Sequence, residues 1–189
     1  MLKKSLDHIP HRLNKSEVRI ELGLGDLPLM VIETPMASAT ISIYAGQVLS
    51  YVPEGHAPVL WTSRQRYAQL GQAIRGGIPV CWPWFGPHPT KPGFPNHGFA
   101  RTQDWVVDAS EINEDGTVDV VLRMEPGKAS QSLWNFDCEL KQKVHLGEHL
   151  GIELLTTNHD GSPITITEAL HTYFSVGDVR EVEIRGLDG

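Results

Sequence analysis

The chain has 189 residues, of which 40% are hydrophobic and 21% charged, a composition typical of folded globular proteins and unlike that of disordered chains. Its net charge of −7 argues against nucleic acid as a partner, because phosphate-backbone binding depends on an excess of Lys and Arg. No apolar run approaches the roughly 20 residues that span a bilayer, and the N-terminal residues lack the apolar centre of a signal peptide. Together with only two cysteines, Cys81 and Cys138, these features predict one cytoplasmic domain over residues 1–189, with reduced thiols and no membrane partner.

Apolar and polar residues alternate with a period of two along much of the chain, as they do in β-strands that are buried on one face. The clearest runs of this kind are at positions 18–22, 37–43 and 118–124. The dipeptide Asp115-Gly116 is favoured in tight hairpin turns. Two further hairpins are expected, one joining 139–146 to 152–157 and one turning at Asp160-Gly161. No stretch has a sustained helical period, so the sequence predicts an antiparallel, all-β fold.

Residues 55–103 contain no Asp or Glu, and we refer to them as the acid-free segment. Its basic residues are Arg64, Arg66, Arg75, Lys91 and Arg101, whereas the rest of the chain holds 11 basic and 23 acidic residues. This segregation indicates a site for a small anionic ligand, since a local positive field attracts an anion. The alternative is a chance cluster of basic residues on a solvated loop.

Between positions 75 and 95 the acid-free segment is rich in Pro and Gly but also carries aromatic residues, which predicts a long ordered loop and not a linker. Four tryptophans lie in or near the segment: Trp61, Trp82, Trp84 and Trp105. Their flat faces suit stacking against the apolar face of a sugar ring. For any single Trp, however, burial in the core is the preferred interpretation.

The sequence from His145 to His149 matches the His-x-x-Glu-His pattern of one class of zinc proteases. That pattern needs both histidines on one face of a helix, whereas here Gly147-Glu148 is expected to be the turn of a hairpin. No glycine-rich nucleotide-binding loop and no Gly-x-Ser-x-Gly motif occur in the sequence. The sequence therefore predicts neither a metal nor another cofactor.

Two other histidines, His97 and His171, are candidates for a site. If 164–173 is one strand, His171 shares a face with Thr165, Thr167, Ala169 and Tyr173, a mostly polar set that is typical of a cavity lining. His97 and Arg101 point the same way if their segment is extended. A structural role is the alternative for either histidine, but two histidines beside Arg in an acid-free, aromatic segment favour a functional one.

Four short segments occur in the order Ile74-Arg75-Gly76-Gly77-Ile78-Pro79, Trp84-Phe85-Gly86, His97-Gly98-Phe99-Ala100-Arg101 and Ala169-Leu170-His171-Thr172-Tyr173-Phe174. Together they resemble the glucose-6-phosphate 1-epimerase branch of the aldose 1-epimerase family. The resemblance implies a galactose-mutarotase-like β-supersandwich. It also implies interconversion of the α and β anomers of a hexose 6-phosphate, with glucose 6-phosphate as the first candidate, by acid-base ring opening without metal or nucleotide.

By this resemblance, His171 is the general acid that protonates the ring oxygen, and His97 assists at the sugar oxygens. Arg75 and Arg101 are expected to bind the substrate, including its phosphate, because a guanidinium can grip a phosphate through two parallel hydrogen bonds. Asn96 stands where the family often carries Gln, and we expect it to reach the substrate with a shorter side chain. The two arginines, the two histidines and at least one Trp are expected to share one cleft.

In the family, the catalytic Glu and a substrate-binding Asp lie on later strands, and this sequence ends at Gly189 before either. Glu168 is a poor substitute because strand alternation points it away from His171. The chain is therefore expected to be incomplete at its C-terminus and of low activity by itself. The alternative function is a non-catalytic carbohydrate-binding β-sandwich that uses the same Trp and Arg residues without a base.

Overall fold

The computed structural model describes residues 12–63 and 69–186. The strands are β1 (Arg12–Leu13), β2 (Ser16–Leu22), β3 (Pro28–Glu33), β4 (Ala37–Ser42), β5 (Gln47–Pro53), β6 (Val80–Cys81), β7 (Asp104–Ile112), β8 (Val118–Glu125), β9 (Cys138–Leu146), β10 (Leu150–Asn158) and β11 (Ala169–Leu170). The helices in the described ranges are the α-helix α1 (Lys128–Leu133) and short 3₁₀ helices at Leu24–Asp26, Ala100–Thr102 and Val179–Glu181. No helix in the described ranges is long and apolar enough to cross a membrane.

The named strands form three sheets, and every pairing between them is antiparallel. A five-stranded sheet follows chain order from β1 to β5, a four-stranded sheet has the order β10-β9-β8-β7, and β6 pairs with β11. Meander connections of this kind arise because consecutive strands are joined by short turns. The prediction of an antiparallel, all-β fold is confirmed.

The four-stranded sheet shows how alternation divides its two faces. On β8, Val118, Val120, Leu122 and Met124 are buried toward the five-stranded sheet, whereas the residues between them point outward. The outward residues of β7, β8 and β9 form ion pairs, and we refer to this surface as the ion-paired face: Asp108, Asp119, Arg123, Glu125, Glu139, Lys141 and His145. The two faces thus separate an apolar core from a charged surface whose basic side chains are paired with carboxylates.

The core lies between the two large sheets and includes side chains from the acid-free segment. Met30, Ile32 and Ile41 of the five-stranded sheet share one apolar cluster with Val120 and Leu122 of the four-stranded sheet. Trp82, Trp84 and Trp105 are almost fully buried in the same cluster, which confirms the core interpretation for these three. That residues 1–189 form one domain stays a prediction.

The segment before and within β11 differs from the predicted strand over 164–173, because only Ala169–Leu170 is strand. Its partner segment carries Pro79 and Pro83, which have no N–H to donate to a ladder. Both prolines still accept, Pro79 from the N–H of His171 (3.0 Å) and Pro83 from the N–H of Thr167 (3.1 Å). The two segments therefore run side by side, but at each proline only one of the two main-chain hydrogen bonds of a regular antiparallel pair forms.

Two of the predicted hairpins are confirmed and one is wrong. Asn113 and Thr117 close the turn around Asp115-Gly116, between β7 and β8. The turn at Gly147-Glu148 joins β9 to β10. After Asp160-Gly161, however, the chain does not return along β10: it crosses to β6, where Ala169 and Leu170 pair with Cys81 and Val80. This crossing brings His171 to the acid-free segment.

Candidate functional site

The loop that carries His97 closes on the loop after β6. Trp82 forms a parallel bridge with Gly98, and its carbonyl accepts from the N–H groups of Phe99 (3.0 Å) and Ala100 (3.3 Å). At Gly98, which has φ +65°, a Cβ atom would lie 2.0 Å from the Trp82 carbonyl oxygen, so only glycine fits here. This close approach presents the His97 side chain beside Phe85.

His97 and His171 lie together in a row of rings. Their ring centroids are 5.8 Å apart, and Phe85 contacts both, at 4.9 Å from His97 and 6.4 Å from His171. On the other side of His171, Tyr173 stacks at 5.0 Å, and Trp61 follows at 6.0 Å from Tyr173. We refer to Phe85, His97, His171, Tyr173 and Trp61 as the histidine row.

The ring of His97 is held by the main chain of Gly86. The Gly86 N–H donates to Nδ1 of His97 (3.2 Å), and the His97 N–H donates to the Gly86 carbonyl (2.8 Å). Because a backbone N–H can only donate, Nδ1 carries the lone pair and the ring proton is on Nε2. Burial, the Arg101 charge and His171 together lower the pKa of His97, which favours this neutral form.

His171 and Tyr173 project from one side of their segment, while their neighbours project from the other. The Tyr173 N–H donates to the Gly77 carbonyl (2.9 Å), which anchors the segment to the acid-free segment. Leu170, Thr172 and Phe174 line a cleft of about 540 Å³ that includes Tyr51 and Ile152 and neither of the two histidines. The face predicted for His171 and Tyr173 is confirmed, although the segment is not one continuous strand.

Arg101 lies next to His97. Its Nη2 donates to the main-chain carbonyl of Asn96 (2.8 Å), and its charge contributes to the lowered pKa of His97. The same charge partly offsets the effect of burial, which raises the pKa of the Cys81 thiol. Asn96 itself is exposed and meets Arg101 through its backbone, so a role for its side chain with substrate stays a prediction.

Arg75 is exposed and lies near the Trp61 end of the histidine row. Its carbonyl accepts from the N–H of Ser63 (3.2 Å), and Gly77, two residues later, donates to the Trp61 carbonyl (2.8 Å). The buried amide of Gln47 donates to Gly76 (2.5 Å) and weakly to Ile74 (3.4 Å), the two carbonyls that flank Arg75. Convergence of the Arg75 and Arg101 guanidinium groups on one cleft stays a prediction.

Arg75 and Arg101 differ from the other arginines that the structure describes. Arg12, Arg19, Arg123, Arg180 and Arg185 each form an ion pair with a carboxylate. Within the described ranges, neither Arg75 nor Arg101 has a carboxylate within 4.0 Å, as expected for a segment without Asp or Glu. Two guanidinium groups thus have no anionic partner among the described residues, an arrangement that suits an external anion.

The zinc-protease interpretation of His145 and His149 is excluded by the hairpin. His145 lies on β9 and pairs through Nδ1 with Asp119 (2.7 Å), while His149 is in the following turn. No group of three or more His, Cys, Asp or Glu among the described residues could hold a metal ion.

Of the four tryptophans in or near the acid-free segment, Trp61 is the one that fits a role in sugar binding, since this residue is 47% exposed whereas Trp82, Trp84 and Trp105 are buried. The sequence did not predict that the Gly86 N–H binds His97, because every residue except proline has a main-chain N–H and the residue type does not mark the ones that bind a side chain. It also missed the position of Phe85 beside both histidines, although this residue was among the aromatics of the acid-free segment.

The sequence model for aldose 1-epimerase matches residues 28–189. The chain belongs to the aldose 1-epimerase family. A relative from Salmonella typhimurium, provisionally named a glucose-6-phosphate 1-epimerase, is 35% identical over 164 residues, which cover 87% of this chain and 54% of the relative. One from Escherichia coli with the same provisional name is 36% identical with the same coverage, so this epimerase-family chain spans about half the length of the curated relatives it matches.

Solved structures of the family share the fold. A Salmonella typhimurium mutarotase, also provisionally named, matches with a TM-score of 0.77 at 34% identity, over 90% of this chain and 55% of the other. A galactose mutarotase-like protein from Clostridium acetobutylicum matches with a TM-score of 0.56 at 18% identity, over 74% of this chain and 47% of the other, and supports the fold alone.

Proposed function

We propose that this aldose 1-epimerase family member interconverts the α and β anomers of a hexose 6-phosphate, with glucose 6-phosphate as the first candidate. The observation that carries the proposal is the pairing of His97 with His171 in a row of partly exposed rings, next to Arg101, which has no carboxylate within 4.0 Å among the described residues. An aromatic surface suits a sugar ring, the histidines suit proton transfer, and the arginines suit a phosphate.

The proposed reaction consists of proton transfers. A base removes the proton from the C1 hydroxyl, while an acid protonates the ring oxygen as the C1–O5 bond breaks. Rotation about the C1–C2 bond and closure by the reverse transfers give the other anomer. We assign His171 as the acid and His97, through its Nε2–H, as a donor to the sugar oxygens. These steps use no metal or nucleotide.

The base is not among the groups beside the two histidines. Within the described part of the chain, neither His97 nor His171 has a carboxylate within 4.0 Å, and Glu168 is exposed. The family resemblance implies a Glu in this role. We therefore assign the base to a carboxylate that the described residues do not include.

We assign binding of the substrate's phosphate group to Arg75 and Arg101. A charge-assisted hydrogen bond from a guanidinium is shorter and about twice as strong as a neutral one, so the arginines favour the phosphorylated sugar over the free sugar. We place the reaction in the cytoplasm, which is supported by the free thiols of Cys81 and Cys138.

The absence of a carboxylate beside the histidines within the described residues also favours a second candidate, a non-catalytic carbohydrate-binding β-sandwich. Such a protein would bind the sugar phosphate with the same rings and arginines but would not exchange its anomers.

Exchange NMR between the α and β anomeric protons of glucose 6-phosphate distinguishes the two functions. It is measured with the 189-residue chain and with the longest natural chain that contains it, and with glucose as the control substrate. We expect the longest chain to accelerate exchange of glucose 6-phosphate more than that of glucose. The 189-residue chain should bind glucose 6-phosphate and barely accelerate its exchange. Binding without acceleration by the longest chain would instead support the carbohydrate-binding function.

A further inference from the structure

We propose that Thr167 is a positioning residue, whose hydroxyl holds the Phe85–Gly86 main chain in the orientation that fixes the ring of His97 beside His171. The catalytic consequence rests on the proposed function above, whereas the effect of Thr167 on the His97 ring does not. Thr167 lies four residues before His171 and contacts neither histidine in a hydrogen bond. It therefore acts through the loop after β6.

A pair of hydrogen bonds ties Thr167 to this loop. The Phe85 N–H donates to Oγ1 of Thr167 (2.9 Å), and the Thr167 N–H donates to the Pro83 carbonyl (3.1 Å). The first bond joins residues 82 positions apart in sequence, so it fixes the loop to the segment that carries His171. Since Pro83 cannot donate back, the hydroxyl supplies a contact that a regular strand ladder would have made through the main chain.

The next peptide carries this constraint to His97. The Gly86 N–H, one residue after the bonded Phe85 N–H, donates to Nδ1 of His97. The Phe85 side chain packs against both histidine rings. A rotation of the Phe85–Gly86 main chain would therefore remove the donor at Nδ1 and shift the Phe85 ring that packs beside both histidines.

The position of Thr167 makes its role separable from folding. Its side chain is exposed, so removing the hydroxyl opens no cavity in the core. Thr165, two residues earlier, is also an exposed threonine and forms no side-chain hydrogen bond among the described residues. Thr165 is thus a matched control for the loss of one hydroxyl from the same segment.

The test compares the wild-type chain with Thr167→Val, which removes the acceptor at similar size, Thr167→Ser, which keeps it, and Thr165→Val. Long-range ¹H–¹⁵N NMR of the histidine rings reports the tautomer of His97 without any need for activity. We expect wild type, Thr167→Ser and Thr165→Val to hold the Nε2–H tautomer. Thr167→Val should populate the Nδ1–H tautomer and raise the pKa of His97 toward that of an ordinary histidine, because the ring moves toward solvent.

In the longest natural chain, Thr167→Val should lower kcat for anomer exchange by about tenfold, which corresponds to one neutral hydrogen bond, with little change in KM. Thr167→Ser should restore the rate. An unchanged His97 tautomer and pKa in Thr167→Val would overturn the inference. A changed tautomer in a protein whose wild type exchanges no anomers would overturn the proposed catalytic function and leave the positioning role of Thr167 intact.

Discussion

The ion-paired face and the histidine row contain the same kinds of residue in opposite electrostatic settings. On the ion-paired face, His145 is hydrogen-bonded to Asp119 and Arg123 pairs with Asp108, so each basic side chain already has a carboxylate partner from the chain itself. In the histidine row, His97 and His171 meet aromatic rings and each other, and the nearby arginines have no carboxylate partner within the described residues.

The difference shows why composition alone does not identify a site. A cation that is already paired in solvent contributes little to stability and has no charge left for a ligand. An unpaired guanidinium beside partly buried histidines keeps its charge for an external anion and lowers the pKa of its histidine neighbour. In the sequence, the second setting is marked by the lack of Asp and Glu in the acid-free segment.

The largest expected effect is at His171. His171→Gln should lower anomer exchange in the longest natural chain by about a hundredfold or more, because it removes the proposed general acid. His145→Gln on the ion-paired face is the matched control and should leave the rate unchanged. Both rates are measured by exchange NMR. Equal rates for wild type and His171→Gln would show that His171 is not the general acid.

A smaller effect is expected at the arginines. Arg75→Gln and Arg101→Gln should each weaken binding of glucose 6-phosphate by about tenfold or more, since a hydrogen bond to a charged group contributes about 1.5–3 kcal/mol. Binding of glucose should change far less. Arg123→Gln is the control from the ion-paired face. Calorimetric titration measures all of these, and equal losses for glucose and glucose 6-phosphate would show that the arginines do not bind the phosphate.

The sequence predicted the sheets better than the contacts of the site. Alternation at Val118, Val120 and Leu122 identified the buried face of β8, and Asp115-Gly116 located its hairpin, because both signals are local. The same rule placed His171 and Tyr173 on one side of their segment.

The parts that could not be predicted depend on contacts between distant residues. The Thr167–Phe85 bond spans 82 positions, and the approach of Gly98 to Trp82 depends on how the loop after β6 closes. The strand over 164–173 was predicted too long because its partner segment contains prolines, and the partner of a strand is not visible in its own sequence.

The smallest expected effect is on the pH dependence of stability. Burial, Arg101 and His171 lower the pKa of His97 in the folded state, so between that pKa and the ordinary histidine value the unfolded chain binds a proton that the folded chain does not. The free energy of unfolding should therefore increase as the pH is raised through this window and decrease as the pH is lowered through it. His97→Gln should remove this contribution, and Arg101→Gln should reduce it, in urea unfolding between about pH 5 and pH 8. A steeper rise in His97→Gln would contradict the assigned direction of the pKa shift.

The central claim is that the histidine row, and not the ion-paired face, receives the sugar phosphate. NMR titration of the 189-residue chain with glucose 6-phosphate, observing the ring signals of all histidines, tests it most directly. We expect saturable shifts of the His97 and His171 signals, with weaker shifts for glucose and none for His145. Saturable shifts confined to His145, or the absence of shifts at His97 and His171, would contradict it.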